Sequence, residues 1–167
     1  MKKFYSLKDL SRIIQGHKKE GKKIVLANGC FDLIHVGHIR YLKESKKQGD
    51  LLVVAVNSDS SVRKLKGEGR PLLGEQERIE ILSSFYFVDY VTLFDELDVS
   101  RVILALKPDI QAKGSDYTEE TVPEKSVVRG YGGKVAITGG PKVRSASEIA
   151  EQIAARLAAE RSKSKKK

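Results

Sequence analysis

The sequence predicts an α/β fold, a doubly wound parallel sheet with helices on both faces in a single domain, from three observations. Short apolar runs rich in β-branched residues alternate with helical patterns along the whole chain. These runs are nearly continuous in apolar residues, as strands covered on both faces are. Several end in polar residues, and in such sheets ligands bind outside the carboxyl ends of the strands.

Ser6 with Asp9 resembles a capping box, and Leu7, Leu10, Ile13 and Ile14 follow at helical spacing, which predicts a first helix from Leu7 to Lys19. "KIVLAN", Lys23 to Asn28, reads as a buried strand, and "HVGHIRYLKESKKQG" as a helix starting near Val36 and closed by Gly49. "DLLVVAVNSD" is a second strand, followed by a helix over Ser60 to Leu65, the loop "KGEGRPLLG" and a helix from Glu75 to about Phe85. "VDYVTLF" gives a strand, "VSRVILALKP" a helix ending before Pro108, "DIQAKG" a strand, "VPEKSVVRGYGG" a helix and "KVAIT" the last strand. Ser145 and Glu148 form a second capping box before "IAEQIAARLAAE".

Of the formal charge of +9 over 167 residues, five units sit in the ending "RSKSKKK", which leaves an ordinary +4. The surplus suits a partner carrying phosphates. Nucleic acid is not the expected partner, since neither a zinc finger, a zipper nor interleaved aromatic and basic residues accompany the lysines. A single cysteine, Cys30, excludes an internal disulfide and a multi-cysteine metal site. The start is a poor signal peptide and no run reaches the roughly 20 apolar residues of a membrane span, so a soluble cytoplasmic protein is expected.

The chemistry concentrates in "NGCFDLIHVGHIRYL", Asn28 to Leu42, since the chain has neither G-x-x-x-x-G-K-[ST] nor G-x-G-x-x-G. A helix starting near Val36 presents free N–H groups and a positive dipole end, which is an anion site. His35 and His38 fall around its first turn, where imidazoles can donate hydrogen bonds to phosphate oxygens. Two other readings stand beside this one: a metal site completed by Cys30 or Asp32, and a pair of capping or partly buried histidines.

This stretch resembles the signature of the HxGH nucleotidyltransferases of the cytidylyltransferase-like superfamily, which have a Rossmann-like sheet. "VAVNSDSSVRKLKGEGRP", "EQERIEIL", "KGSDY", "YGGKV" and "SASEI" follow in the order seen in adenylyltransferases that make ADP-heptose from D-glycero-β-D-manno-heptose 1-phosphate. The resemblance covers Lys23 to Leu157 and departs from the family at Ser115, where glycine is usual, and at Ala146, where S-T-T is usual. With the first helix and the lysine run lying outside it, the expected division is residues 1–22 as an N-terminal helix and lead-in, 23–160 as the nucleotidyltransferase domain and 161–167 as a basic, disordered tail.

The resemblance further implies that a sugar phosphate attacks the α-phosphorus of ATP in line, releasing pyrophosphate, with Mg2+ carried by the phosphates and no direct protein ligand to the metal. It gives His35, His38 and Lys46 catalytic roles. Cys30, Phe31, Lys66, Arg78, Lys113, Gly114, Asp116, Ser145 and Ser147 are expected on the nucleotide and its phosphates, and Asp32, Asn57 and Asp59 on the sugar phosphate. A homodimer is expected by the same resemblance. A cytidylyltransferase acting on glycerol 3-phosphate or another polyol phosphate is the nearest alternative, and a non-catalytic nucleotide- or RNA-binding protein the alternative of another class.

Overall fold

The protein is described by a computed structural model over residues 2–141 and 144–164. Among the described residues seven helices and five strands follow one another: α1 (Leu7–Lys19), β1 (Ile24–Gly29), α2 (Val36–Lys46), β2 (Leu51–Asn57), α3 (Asp59–Lys66), α4 (Glu75–Ser84), β3 (Tyr90–Phe94), α5 (Ser100–Leu106), β4 (Ile110–Gly114), α6 (Lys125–Gly130), β5 (Lys134–Thr138) and α7 (Ala146–Ser164). The strands form one sheet in the order β3-β2-β1-β4-β5, and every pairing is parallel. The predicted doubly wound sheet is the observed one.

Side-chain alternation along the strands divides the core in two. Val25 and Ala27 of β1, with Leu52, Val54 and Val56 of β2, face Tyr41 and Leu42 of α2 and Ile79 and Leu82 of α4. Ile24 and Leu26, with Val53 and Ala55, face Leu10 and Ile14 of α1 and Val102 and Ile103 of α5. Both faces of the central strands are therefore dry, which is why their sequences carry no polar alternation.

Element boundaries follow caps. Ser6 accepts the Asp9 N–H at 3.1 Å and starts α1 where the sequence placed it. β2 stops at Asn57 because Ser58 already caps α3, accepting the Ser61 N–H at 3.2 Å. Val88 and Asp89 lie before β3, where the Asp89 carboxylate accepts the Leu52 N–H at 2.7 Å. The lead-in contributes to the sheet edge: Phe4 bridges Val91 in parallel, a pairing absent from the sequence reading.

Ser145 and Glu148 make the expected reciprocal cap at the start of α7, with Glu148 N–H to Ser145 Oγ at 3.1 Å and Ser145 N–H to the Glu148 carboxylate at 2.9 Å. α7 runs on to Ser164, so the first residues of the basic ending continue the helix; Lys165, Lys166 and Lys167 lie outside the described residues. Among the described residues no helix is long and apolar enough to cross a membrane.

Candidate active site

The strand order reverses between β1 and β4, and a cavity of about 490 Å³ opens at the carboxyl ends there. β1 delivers Cys30 and Phe31 to its wall, the start of α2 delivers His35, Gly37 and His38, and β4 delivers Lys113.

His35 is the N-cap of α2. Its Nδ1 accepts the Gly37 N–H at 3.1 Å, and His38 Nδ1 accepts the His35 N–H at 3.4 Å, a capping box built from two imidazoles. A backbone N–H can only donate, so each Nδ1 carries a lone pair and each neutral ring holds its proton on Nε2. Burial, then the neighbouring His35 and Lys66, pushes the His38 pKa down to about 4. Burial also lowers His35, partly offset by Glu148. Two uncharged imidazoles therefore stand at the positive end of a helix, that of His38 also hydrogen-bonded to the Leu33 backbone, and the capping reading and the phosphate-donor reading concern the same rings. Gly37 is required by this arrangement, since a Cβ there would lie 2.8 Å from the His35 ring.

Cys30 and Phe31 border the same space. Burial raises the Cys30 thiol, opposed by Lys66 and Arg78, so it stays a neutral thiol. Phe31 holds a left-handed backbone, φ +50°, with its ring buried in the core and 5.3 Å from that of His38.

Lys66, at the end of α3, Gly114, the last residue of β4, and Asp116, two residues on, all reach the cavity. Lys113 does so while buried: its ammonium pairs with Glu124 at 3.1 Å and sits 5.1 Å from the centre of the Tyr117 ring. Asn57 lines the wall with its amide held by Ser61 Oγ at 3.0 Å. Ser145 lines it beside Arg144, whereas Ser147, two residues further, is exposed and lies off the wall.

Besides Ser147, four residues of the expected site spend their polar groups on other parts of the protein. Lys46 lies at the far end of α2, where it bonds the Asp89 carboxylate at 2.6 Å and the Asp50 carbonyl, so it ties α2 to the loops at the amino edge of the sheet and lies off the cavity wall. Arg78 is fully buried and off the cavity wall, donating to the carbonyls of Leu73, Cys30 and Asn57 and to Asp59. Asp59 is turned to that guanidinium at 2.8 Å and also leaves the wall. Asp32 reaches the cavity, but its carboxylate is spent on the Arg70 guanidinium at 2.6 Å and on the N–H groups of Leu72 and Leu73. Burial pushes the Asp32 carboxyl up, and those hydrogen bonds outweigh it and hold it below the ordinary range.

Cavity residues to which the sequence assigns no role include Asn28, Tyr41, Asp98 and Glu124. Asn28 stands inside the quoted signature, with a buried Oδ1 that has no hydrogen-bond partner among the described residues. Tyr41 is buried in the core, and its hydroxyl accepts the Asn28 N–H at 3.3 Å and donates to the Ala112 carbonyl at 2.8 Å, which stitches β1 to β4 beneath the site. Among the described residues no group of three or more His, Cys, Asp or Glu is arranged to hold a metal ion.

A family model described as cytidylyltransferase-like matches residues 26–140. The bifunctional protein HldE of Geobacter metallireducens is 50% identical over 151 residues, and that of Pelobacter propionicus 49% over 144. These matches cover 90% and 86% of this chain but 31% and 30% of the relatives, so the chain spans about a third of the length of the curated relatives it matches. Among solved structures, a lipopolysaccharide core biosynthesis protein from Thermoplasma volcanium is 39% identical with a TM-score of 0.59, over 70% of this chain and 94% of that one. A pantoate-beta-alanine ligase from Francisella tularensis, 18% identical with a TM-score of 0.64 over 88% of this chain and 69% of that one, shares the fold. From the HxGH cap at the head of α2 to the glycines that follow β5, the matched span takes in most of the cavity wall, and the chain belongs to the cytidylyltransferase-like family.

Proposed function

We propose that this chain is a nucleotidyltransferase that moves AMP from magnesium ATP to D-glycero-β-D-manno-heptose 1-phosphate, giving ADP-heptose and pyrophosphate. The observation that carries the reaction class is the pair of neutral Nε2–H donors at the N-terminus of α2, beside the Cys30–Phe31 loop and Lys66. Nucleotidyl transfer needs no covalent nucleophile from the protein. A phosphate oxygen of the sugar attacks the α-phosphorus, the bond to the β-phosphate oxygen breaks, and pyrophosphate departs with the charge. The protein holds two anions in line and offsets the charge that builds between them.

In this reading His35 and His38 donate to the triphosphate, joined by the Phe31 N–H and by Ser145 at the head of α7. Lys66 offsets phosphate charge as a mobile ammonium. Lys113, Gly114 and Asp116 border the nucleoside, and Asn57 lies on the sugar side. The choice of heptose rests on the resemblance of "LKGEGRP" and "KGSDY" to the ADP-heptose enzymes, and a solved relative named for lipopolysaccharide core biosynthesis agrees with it. The same resemblance supports a cytoplasmic homodimer.

Pyrophosphate release, followed with each nucleoside triphosphate against each sugar or polyol phosphate, tests the assignment. ATP with the heptose 1-phosphate is expected to give the highest kcat/KM; CTP with glycerol 3-phosphate outperforming it would replace the reading.

A further inference from the structure

Arg78 touches no part of the cavity, yet it is a fully buried cation beneath it. We propose that Arg78 is a positioning residue, fixing the Cys30–Phe31 peptide so that the Phe31 N–H is presented to the phosphates of the nucleotide. The inference rests on the nucleotidyl-transfer reading above and deepens it.

The guanidinium sits at a junction. Its Nη1 donates to the Cys30 carbonyl at 2.6 Å and to the Asn57 carbonyl at 2.7 Å, its Nε to the Leu73 carbonyl at 3.0 Å, and its Nη2 to Asp59 at 2.8 Å. It thus ties the ends of β1 and β2 to the starts of α3 and α4. Burying a cation is unfavourable, and a well-packed apolar side chain often serves stability as well or better. What an apolar side chain cannot do is aim a carbonyl.

The aim matters because C=O and N–H of a trans peptide point in opposite directions. With the Cys30 carbonyl drawn to Arg78, the Phe31 N–H of the same peptide points away from the guanidinium, on the side where Cys30 and Phe31 line the cavity. Phe31 adopts φ +50°, a left-handed conformation that L-residues other than glycine rarely hold without support. Its buried ring and the pinned carbonyl before it supply that support. Released, the peptide is free to turn over and place a carbonyl oxygen, a partial negative charge, where a phosphate must sit. Lysine cannot replace this, because one ammonium on a flexible stem lacks the planar fork that reaches three carbonyls and a carboxylate at once.

The test is a titration of the full chain with inorganic pyrophosphate, read by backbone amide NMR, in the unaltered protein and in Arg78→Lys. The Phe31 amide is expected among the most strongly shifted resonances of the unaltered chain. Arg78→Lys is expected to bind pyrophosphate about 10–100-fold more weakly, the loss of a hydrogen bond to a charged group. Its kcat is expected to fall about 100-fold through misplacement of the phosphates, with KM for the sugar phosphate little changed.

An Arg78→Lys protein that loses thermal stability but keeps its pyrophosphate affinity and kcat would overturn the proposal, leaving Arg78 a core tie only. If that variant does not fold, the unaltered chain decides alone: pyrophosphate binding with an unmoved Phe31 amide overturns the positioning role. A chain that binds no pyrophosphate at all would instead remove the nucleotidyl-transfer reading, and this inference with it.

Discussion

The rings of His35 and His38 lie with centroids 3.9 Å apart, and each gives its Nδ1 lone pair to a backbone N–H of the same helix start. Two imidazoles so close cannot both be charged at little cost, and the low pKa of His38 expresses burial first and that repulsion second. The site therefore offers hydrogen-bond donors in place of positive charge. His38→Ala should leave the fold intact and lower kcat by about 100–1000-fold, the cost of one lost transition-state donor. Circular dichroism and pyrophosphate release check the two halves of this expectation, and near-normal turnover would remove the role.

His38 also makes the protein sensitive to acid. Its folded pKa lies below its unfolded value, so the folded state binds fewer protons and the contribution to stability is present above about pH 6.5. That contribution is lost as pH falls from 6.5 toward about 4, on the order of 3 kcal/mol in all. Urea denaturation of the unaltered chain and of His38→Asn across this interval should diverge, with the variant showing the flatter profile. Parallel profiles would place the histidine proton elsewhere.

Gly37 has no room for a side chain because the His35 ring occupies the place of its Cβ, 2.8 Å away. Gly37→Ala should displace that ring without unfolding α2, since alanine is the better helix former. The expected result is a fall in kcat of about 100-fold with Tm little changed. A drop in Tm with turnover preserved would mean the ring adapts and Gly37 serves packing.

Asp32 clamps the loop after α3 through Arg70, Leu72 and Leu73, and its residue exposure is 1%. Asp32→Ala leaves a guanidinium and two N–H groups without their partner, at a cost of about 3–5 kcal/mol. Chemical denaturation measures this directly. A loss below about 1 kcal/mol would show that water replaces the carboxylate without penalty.

Lys46 makes the sharpest contrast between sequence and structure. The motif places it with the histidines, but eight residues separate it from His38, about 12 Å along a helix axis. Its ammonium holds Asp89, and both side chains are more than a quarter exposed. Lys46→Ala should leave kcat/KM within about twofold and cost no more than about 1 kcal/mol of stability. A loss of turnover by orders of magnitude would return Lys46 to the phosphates.

Much of the fold was legible because each element carries its own signal. α1 begins and ends where the Ser6 cap and the apolar spacing put it, and all five strands fall on apolar runs. The head of α2 was equally plain, since a glycine between two histidines at a strand-to-helix junction has few structural uses. Arg78 was harder: an arginine in "EQERIEIL" reads as a surface ion pair or a phosphate contact, and only the packing of Ile79 and Leu82 hints that its part of α4 faces inward. Asp32 and Asp59 carry the right chemistry for a sugar site, but their partners Arg70 and Arg78 are 38 and 19 residues away in sequence, a pairing that no local pattern encodes. Glu124 was passed over for the same reason, because its pairing with Lys113 depends on how α6 returns to the sheet.

The central claim is that the His35–His38 cavity transfers a nucleotidyl group, and phosphorus NMR of the reaction mixture tests it most directly. With ATP and the heptose 1-phosphate, two mutually coupled resonances of a new asymmetric diphosphate should grow together with free pyrophosphate. ADP accumulating with a sugar bisphosphate, or with inorganic phosphate, would show attack at the γ-phosphorus and contradict the account.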